Sequence, residues 1–591
     1  MNQLDLLMVH ADDRQPVLPK GLSSGTASTS EKPEDRGGPL RLSDDGADQN
    51  DLERQRWGVI IPEGDVGKHL LSLIEPLKQA RAAAQGGREI KVYTVPAKMT
   101  MGQALEWRKK FFDTGKDTTE DLPRYQLILG DLDQVPLVLQ QVQASDCYVG
   151  RLAFSDDKGY TDYVEKVLRW ENKPSSISQA RSLLHTVHDQ TAATDSGYRA
   201  LVSPGLTVAR KRLESKQFNA SEILELGDQT IPNMSDLLDE IKKPDPAMLF
   251  TLSHGLGPPR GGWRSSDEQR KLQGAMSFGS EGALSADALS QLGSSPFLPG
   301  GVWFMLACYG AGTPESSAYQ KWLSELARVG QFRGQPQSVL AGLPKSGERP
   351  FIAALPQAVL RNDKGPLAFM GHVDLAWTYS FAELDGGKPD NKPGRFMEIL
   401  RYVLKGDRVG VAFHALTRYF GAVNAELAVL YGDAEDGSAD TPAMAAKRSH
   451  LWMLRQDLAG YILLGDPAVR LPLQPAAPPA LLKPTINDII GSNFPFPVHI
   501  PGPAPAPKPA PSPAPVSSGG TDGSAAAKAL GLPVAGGALP VPMARLEEAF
   551  GQLLVGERSS KQIAMDLEIS NSELQRLFEL YRQGGRRALG S

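Results

Sequence analysis

The chain has 591 residues, 41% hydrophobic and 22% charged. A single hydrophobic core stops growing at roughly 250 to 300 residues, so one core is excluded and several folded units are expected. The balance of 63 basic against 68 acidic residues, net charge -5, excludes a global field for nucleic acid or anionic lipid. With only Cys147 and Cys308, the chain has no disulfide framework and fits a reducing compartment.

The opening MNQLDLLMVHADDRQ lacks a basic n-region and an apolar run long enough for a signal peptide, and no stretch of about 18 apolar residues could span a bilayer. A cytoplasmic protein without membrane contact is expected. Residues 16 to 55 are rich in Ser, Asp, Glu, Gly and Pro and almost without aromatics, so residues 1 to 55 read as a disordered arm.

From Trp57 onward, short apolar runs (WGVIIP, IKVYTVP, YQLILGD) alternate with helix-like stretches (GKHLLSLIEPLKQARAAA, MGQALEWRKKFFDTG). This is the pattern of a mostly parallel α/β sheet flanked by helices, and it delimits an N-terminal α/β subdomain over 56 to 145. A second series, 146 to 473, holds DCYVGRLAF, the helical TDYVEKVLRWEN, a helical region from about Ser176 to Leu213, AMLFTLSHG, GVWFMLACYGAG, QSVLAGLP, a helical RPFIAALPQAVL, LAFMGHVDLAW and YILLGDPAVRL. Residues 474 to 540 form a Pro/Ala/Gly-rich linker, whose PGPAPAPKPAPSPAP suits an extended spacer. Residues 541 to 588 carry apolar positions at helical spacing, with a Ser570/Glu573 capping box, and predict a helix-turn-helix-sized module.

AMLFTLSHG and GVWFMLACYGAG end in His254-Gly255 and in Cys308 before a Gly-rich turn. Chemistry in open α/β sheets gathers at the carboxyl ends of the strands. A thiol of pKa about 8.5 is mostly protonated near neutral pH, and an imidazole beside it can take the proton. The N-H groups of Gly255 and Cys308 are candidates for an oxyanion hole. Cys147, inside an apolar strand, is expected in the core. His185 and His188, at i and i+3 of an expected helix, lack a third ligand, and His372 follows a strand near the cleft. No cofactor and no metal are expected.

The order strand-His-Gly then strand-Ala-Cys-x-Gly, with 308 - 254 = 54 residues between His254 and Cys308, resembles the caspase-hemoglobinase fold. YQLILGD, VGRLAF and YILLGDPAVRLP resemble its gingipain-type and CHAT-type branches. The resemblance implies a cysteine endopeptidase acting on protein or peptide substrates through His254 and Cys308. It also implies that the loop GHVDLAWTYSF walls the S1 pocket, where Asp374 beside Trp377 would select Arg or Lys at P1. The layout resembles bacterial signalling or antiphage effectors, with residues 541 to 588 recruiting an adaptor or activator. The competing reading is a nucleic-acid-binding or adaptor regulator on a catalytically silent scaffold. In that reading Asn571, Ser572, Gln575 and Arg576 would lie on a recognition helix, although a protein partner is expected ahead of DNA.

Overall fold

A computed structural model describes residues 3–34, 36, 48–112, 122–173, 175–227, 232–293, 295–329, 335–345, 347–379, 381–385, 388–435, 441–474, 567, 570 and 574. Met1–Gln474 make one compact unit and Pro475–Ser591 a second. The expected linker and helical module, with the residues named on the possible recognition helix, lie outside the described residues except at Leu567, Ser570 and Leu574.

The first unit is built on ten strands: β1 (Trp57–Pro62), β2 (Lys91–Val95), β3 (Tyr125–Leu129), β4 (Tyr148–Leu152), β5 (Ala180–Thr186), β6 (Ala220–Leu226), β7 (Ala247–Leu252), β8 (Val302–Leu306), β9 (Ala368–His372) and β10 (Tyr461–Leu464). They hydrogen-bond in the order β2-β1-β3-β4-β10-β9-β8-β7-β5-β6. Every pairing is parallel except β9 with β10. Strands from both expected segments, 56 to 145 and 146 to 473, thus share one mostly parallel sheet with helices around it. All residues of β1, β3, β4, β5, β7, β8, β9 and β10 are buried. Burial on both faces is why they read as unalternating apolar runs.

Three local expectations differ. The stretch Ser176 to Leu213 is strand β5 followed by helical turns from Ala192 to Glu214, so His185 sits on a strand. Arg181, Ser182 and His185 interrupt its apolar run, yet all are buried. The QSVLA of QSVLAGLP instead closes a helix, Gln335–Ala341, because a run this short is not decided by period alone. Within the expected disordered arm, Gln3–Leu4, Met8–His10 and Leu22–Ser23 are strands, and Leu4, Leu6, Leu7, Met8, Val9 and Leu22 are buried to 1% exposure or less. The apolar run LDLLMV supplies the burial that a polar composition alone denied it.

β7 and β8 are locked side by side. Their register pairs Met248 with Val302 through Leu252 with Leu306. Phe250 stacks on Phe304 at 5.4 Å, and Trp303 Nε1 donates to Thr251 Oγ1 at 3.0 Å. Truncating such a buried aromatic costs about 3 to 5 kcal/mol, so the alignment of these two strand ends is stiff. A second anchor comes from the YILLGDPA turn. Asp466 accepts from Trp57 Nε1 at 2.9 Å, Arg81 Nε at 2.7 Å and the Ala468 amide at 3.0 Å, while Arg81 also forks onto Glu171. This carboxylate ties β1, the Glu75–Ala84 helix and the end of β10 together. Among the described residues no helix is long and apolar enough to cross a membrane.

Candidate active site

Two residues beyond the last β7/β8 pair, Leu252 with Leu306, come His254 and Cys308. Equal offsets on adjacent parallel strands, which lie about 4.8 Å apart, set the two residues next to each other. Gly255 is required at this junction, since a Cβ there would stand 1.9 Å from the Cys308 carbonyl oxygen. Just after the thiol, Tyr309 takes a left-handed backbone (φ 55°) and its amide donates to Asp374 O at 3.0 Å. A non-glycine residue held there stores strain of order 1 to 3 kcal/mol, and the result is a sharp turn that carries Cys308 at its base.

His254 and Cys308 are both fully buried. His254 Nε2 lies 2.7 Å from Thr191 Oγ1, which donates to Asp189 Oδ1 at 2.8 Å. Thr194 Oγ1 donates to the same carboxylate oxygen at 2.7 Å, and Asp189 Oδ2 stands 3.7 Å from Nε2. This network assigns the ring proton to Nε2, because Thr191 spends its own hydroxyl hydrogen on Asp189. Nδ1 is left as the basic nitrogen, buried and without a hydrogen-bond partner among the described residues. Burial pushes the His254 pKa down, with Asp189 opposing, and pushes the Cys308 thiol well up. Both groups therefore rest neutral. The thiol is turned to Ala376, whose amide donates to Sγ at 3.1 Å.

The amides of Gly255 and Cys308 converge. Both donate to one oxygen, the carbonyl of Leu7, at 3.0 and 3.2 Å. That carbonyl belongs to the chain's own N-terminal strand, which continues as Met8–His10 in parallel pairing with Gly255–Gly257.

Asp374, the residue expected in a specificity pocket, is buried and held by backbone donors. Its Oδ2 accepts from the Ala318 amide and its Oδ1 from the Leu375 amide, both at 2.8 Å, with Ser317 adding a further bond. Burial raises its pKa despite these bonds. These donors fix the carboxylate in place just before Ala376 and Trp377. Trp377 contributes its backbone: its amide donates to Asp457 Oδ1 at 2.9 Å, and it bridges Leu6 in antiparallel pairing. Its ring packs at 5.8 Å on Tyr319 and on Trp322. His372 is structural, accepting from the Asp374 amide at Nδ1 and donating to Asp457 O from Nε2 at 2.9 Å. Cys147 is buried beside Gln126, whose Nε2 lies 3.2 Å from its sulfur. His185 is buried and packs on Phe278, away from any metal-like set; among the described residues no group of three His, Cys, Asp or Glu could hold a metal.

Asp189, Thr191 and Leu7 were not singled out by sequence reasoning. Asp189 follows the carboxyl end of β5, the neighbour of β7, so the signal was present in HTVHDQT once β5 is recognised as a strand.

No protein-family model and no curated protein matches the sequence. Among solved structures, the Arg-specific cysteine proteinase gingipain R (RgpB) is 13% identical, with a TM-score of 0.40 over 72% of this chain and 80% of its own. The complex of the Porphyromonas gingivalis RgpB pro- and mature domains is 13% identical, with a TM-score of 0.39 over 71% and 81%. The Saccharomyces cerevisiae separase-securin complex is 10% identical, with a TM-score of 0.27 over 62% of this chain and 16% of its own. The chain itself has a mixed α/β architecture, a large mostly parallel sheet flanked by helices.

Proposed function

We propose that the chain is a cysteine endopeptidase in which Cys308 is the nucleophile and His254 its base. One observation carries the reading: the Gly255 and Cys308 amides hold a single peptide carbonyl oxygen at the root of the cysteine turn. Donors fixed at 2.7 to 3.2 Å around an acyl oxygen stabilise the negative charge that develops there when a thiolate attacks the carbon, typically by several kcal/mol. The remaining parts fit this role. Nδ1 of His254 is the free lone pair that can take the thiol proton, and Asp189 acting through Thr191 holds the tautomer and stabilises the imidazolium that forms. A protonated imidazole then returns the proton to the leaving amine, and water releases the acyl group from sulfur.

A catalytically silent scaffold remains the competing reading, and the variants below separate the two. Control through residues 541 to 588, and a role as a signalling or antiphage effector, rest on the layout of core, spacer and module alone. Cleavage of an unfolded protein substrate tests the catalytic reading. Cys308→Ala and His254→Ala should each abolish it without unfolding the chain, and unchanged cleavage by Cys308→Ala would reject the proposal.

A further inference from the structure

The strand that ends in the candidate site runs like a bound peptide. Leu7 N donates to Ala376 O at 3.1 Å, and Thr378 N donates to Asp5 O at 3.0 Å. Residues 5 to 7 thereby pair antiparallel with Ala376–Thr378, with a bridge between Leu6 and Trp377. The Leu7 carbonyl sits on both convergent amides, and beyond it Met8–His10 pair with Gly255–Gly257. These contacts are the ones a substrate needs: strand pairing on the amino side, the acyl oxygen in the donor pair, and strand pairing again on the leaving side. The segment is then clamped, since Val17 N donates to Met8 O at 3.0 Å and His10 N to Gln15 O at 2.9 Å.

We infer that residues Asp5 to Met8 are an intramolecular ligand docked in substrate register, with Leu7 in the P1 position. The peptidase is consequently shielded by its own N-terminus and selects an apolar, leucine-like side chain at P1. The inference rests on the peptidase reading given above.

Leu7 and Leu6 are buried to 1% exposure or less, within the main hydrophobic cluster. A site that encloses a leucine completely rejects a charged side chain, which would have to be desolvated without a partner. In the docked arrangement the thiol lies against Ala376, and burial holds thiol and imidazole neutral. Displacing residues 5 to 7 would admit water to both groups and free the antiparallel edge at Ala376–Thr378 for another peptide.

The test compares the full chain, Leu7→Arg and a chain lacking residues 1 to 7, using an electrophilic peptide probe with leucine at P1. Mass spectrometry locates the adduct. Circular dichroism and the melting temperature report which variant folds, so either one suffices. The expected result is labelling of Cys308 at least about tenfold faster in a folded variant than in the full chain. Fluorogenic peptides should then be cleaved after Leu at least about tenfold faster than after Arg or Asp. Equal labelling rates in the full chain and a folded variant would overturn the shielding, and a preference for Arg would overturn the apolar P1 site, while both leave the peptidase reading standing. If Cys308 is labelled in none of the three, the peptidase reading itself falls.

Discussion

The two cysteines lie at opposite kinds of strand end. Cys147 precedes β4, and Cys308 follows β8 by two residues. Both are buried, and burial pushes both thiols up, that of Cys147 to about 12. Burial and a raised pKa therefore do not separate them. Their neighbours do. Cys147 meets the Gln126 amide and the aromatic and aliphatic side chains of a small cluster. Cys308 stands at a left-handed turn, beside Gly255 and His254, with two amides already gathered on one acyl oxygen. A thiol is marked for chemistry by the base and donors that its strand end assembles around it, and parallel strands bring such groups together at their carboxyl ends.

The largest effects should split the pair cleanly. In the unshielded chain, Cys308→Ala or His254→Ala should lower kcat/KM by at least about a thousandfold, with the double variant little worse because the two act as a unit. Cys147→Ala should leave kcat/KM within about twofold and cost only about 1 kcal/mol of stability from the lost packing. A large activity loss in Cys147→Ala with an unchanged melting temperature would break the comparison.

The next effect concerns stability alone. Asp466→Ala leaves Arg81 Nε and the Trp57 N-H in the interior without their acceptor while Arg81 keeps Glu171, and orphaning buried donors in this way typically costs about 1 to 3 kcal/mol. Denaturant unfolding of Met1–Gln474 should show that loss. A change below about 1 kcal/mol would mean that the turn does not anchor the sheet.

A smaller effect probes the imidazole's support. Asp189→Asn keeps the shape but weakens the hold on Thr191 and the stabilisation of a charged ring. It should lower kcat by about ten- to a hundredfold and shift the pH profile, with KM little changed. An equal fall in the melting temperature and no change in the pH profile would make Asp189 merely structural.

The smallest effect is a pH dependence of stability. Burial lowers the pKa of His185 and of His414 to about 3, against about 6.5 for an exposed histidine. Between pH 6.5 and 3 the unfolded chain binds more protons at these positions than the folded one, so stability is full above pH 6.5 and falls as the pH drops through that window. His185→Phe should flatten part of this acid dependence in denaturant titrations at pH 5 and 7, and an unaltered slope would remove His185 as a contributor.

Much of the sheet was legible because the strands of a doubly covered sheet must be apolar throughout, and WGVIIP, AMLFTL and VWFML have no other use for such runs. β5 was not, since Arg181, Ser182 and His185 are buried polar residues whose placement depends on neighbouring elements: Arg181 is satisfied by Glu240, far away in sequence. His254 and Cys308 stood out as strand-end residues, whereas Asp189 could not be seen until β5 was placed beside β7. Asp374 is hard to read for a related reason. A lone carboxylate in a loop reads the same whether it faces a ligand or caps a turn, and the Ala318 amide that holds it comes from a distant part of the chain. The N-terminal strand was hidden because LDLLMV carries no periodicity of its own and folds only against Ala376–Thr378 and Gly255–Gly257.

The central claim is that His254 activates Cys308, and the most direct measurement is the rate of Cys308 alkylation by iodoacetamide across pH 5 to 9 in the unshielded chain, with and without His254→Ala. The account predicts rapid alkylation of Cys308 that persists well below pH 8, a rate at least about tenfold slower at pH 6.5 in His254→Ala, and no modification of Cys147 in either protein. Identical Cys308 profiles with and without His254, or alkylation of Cys147 ahead of Cys308, would contradict it.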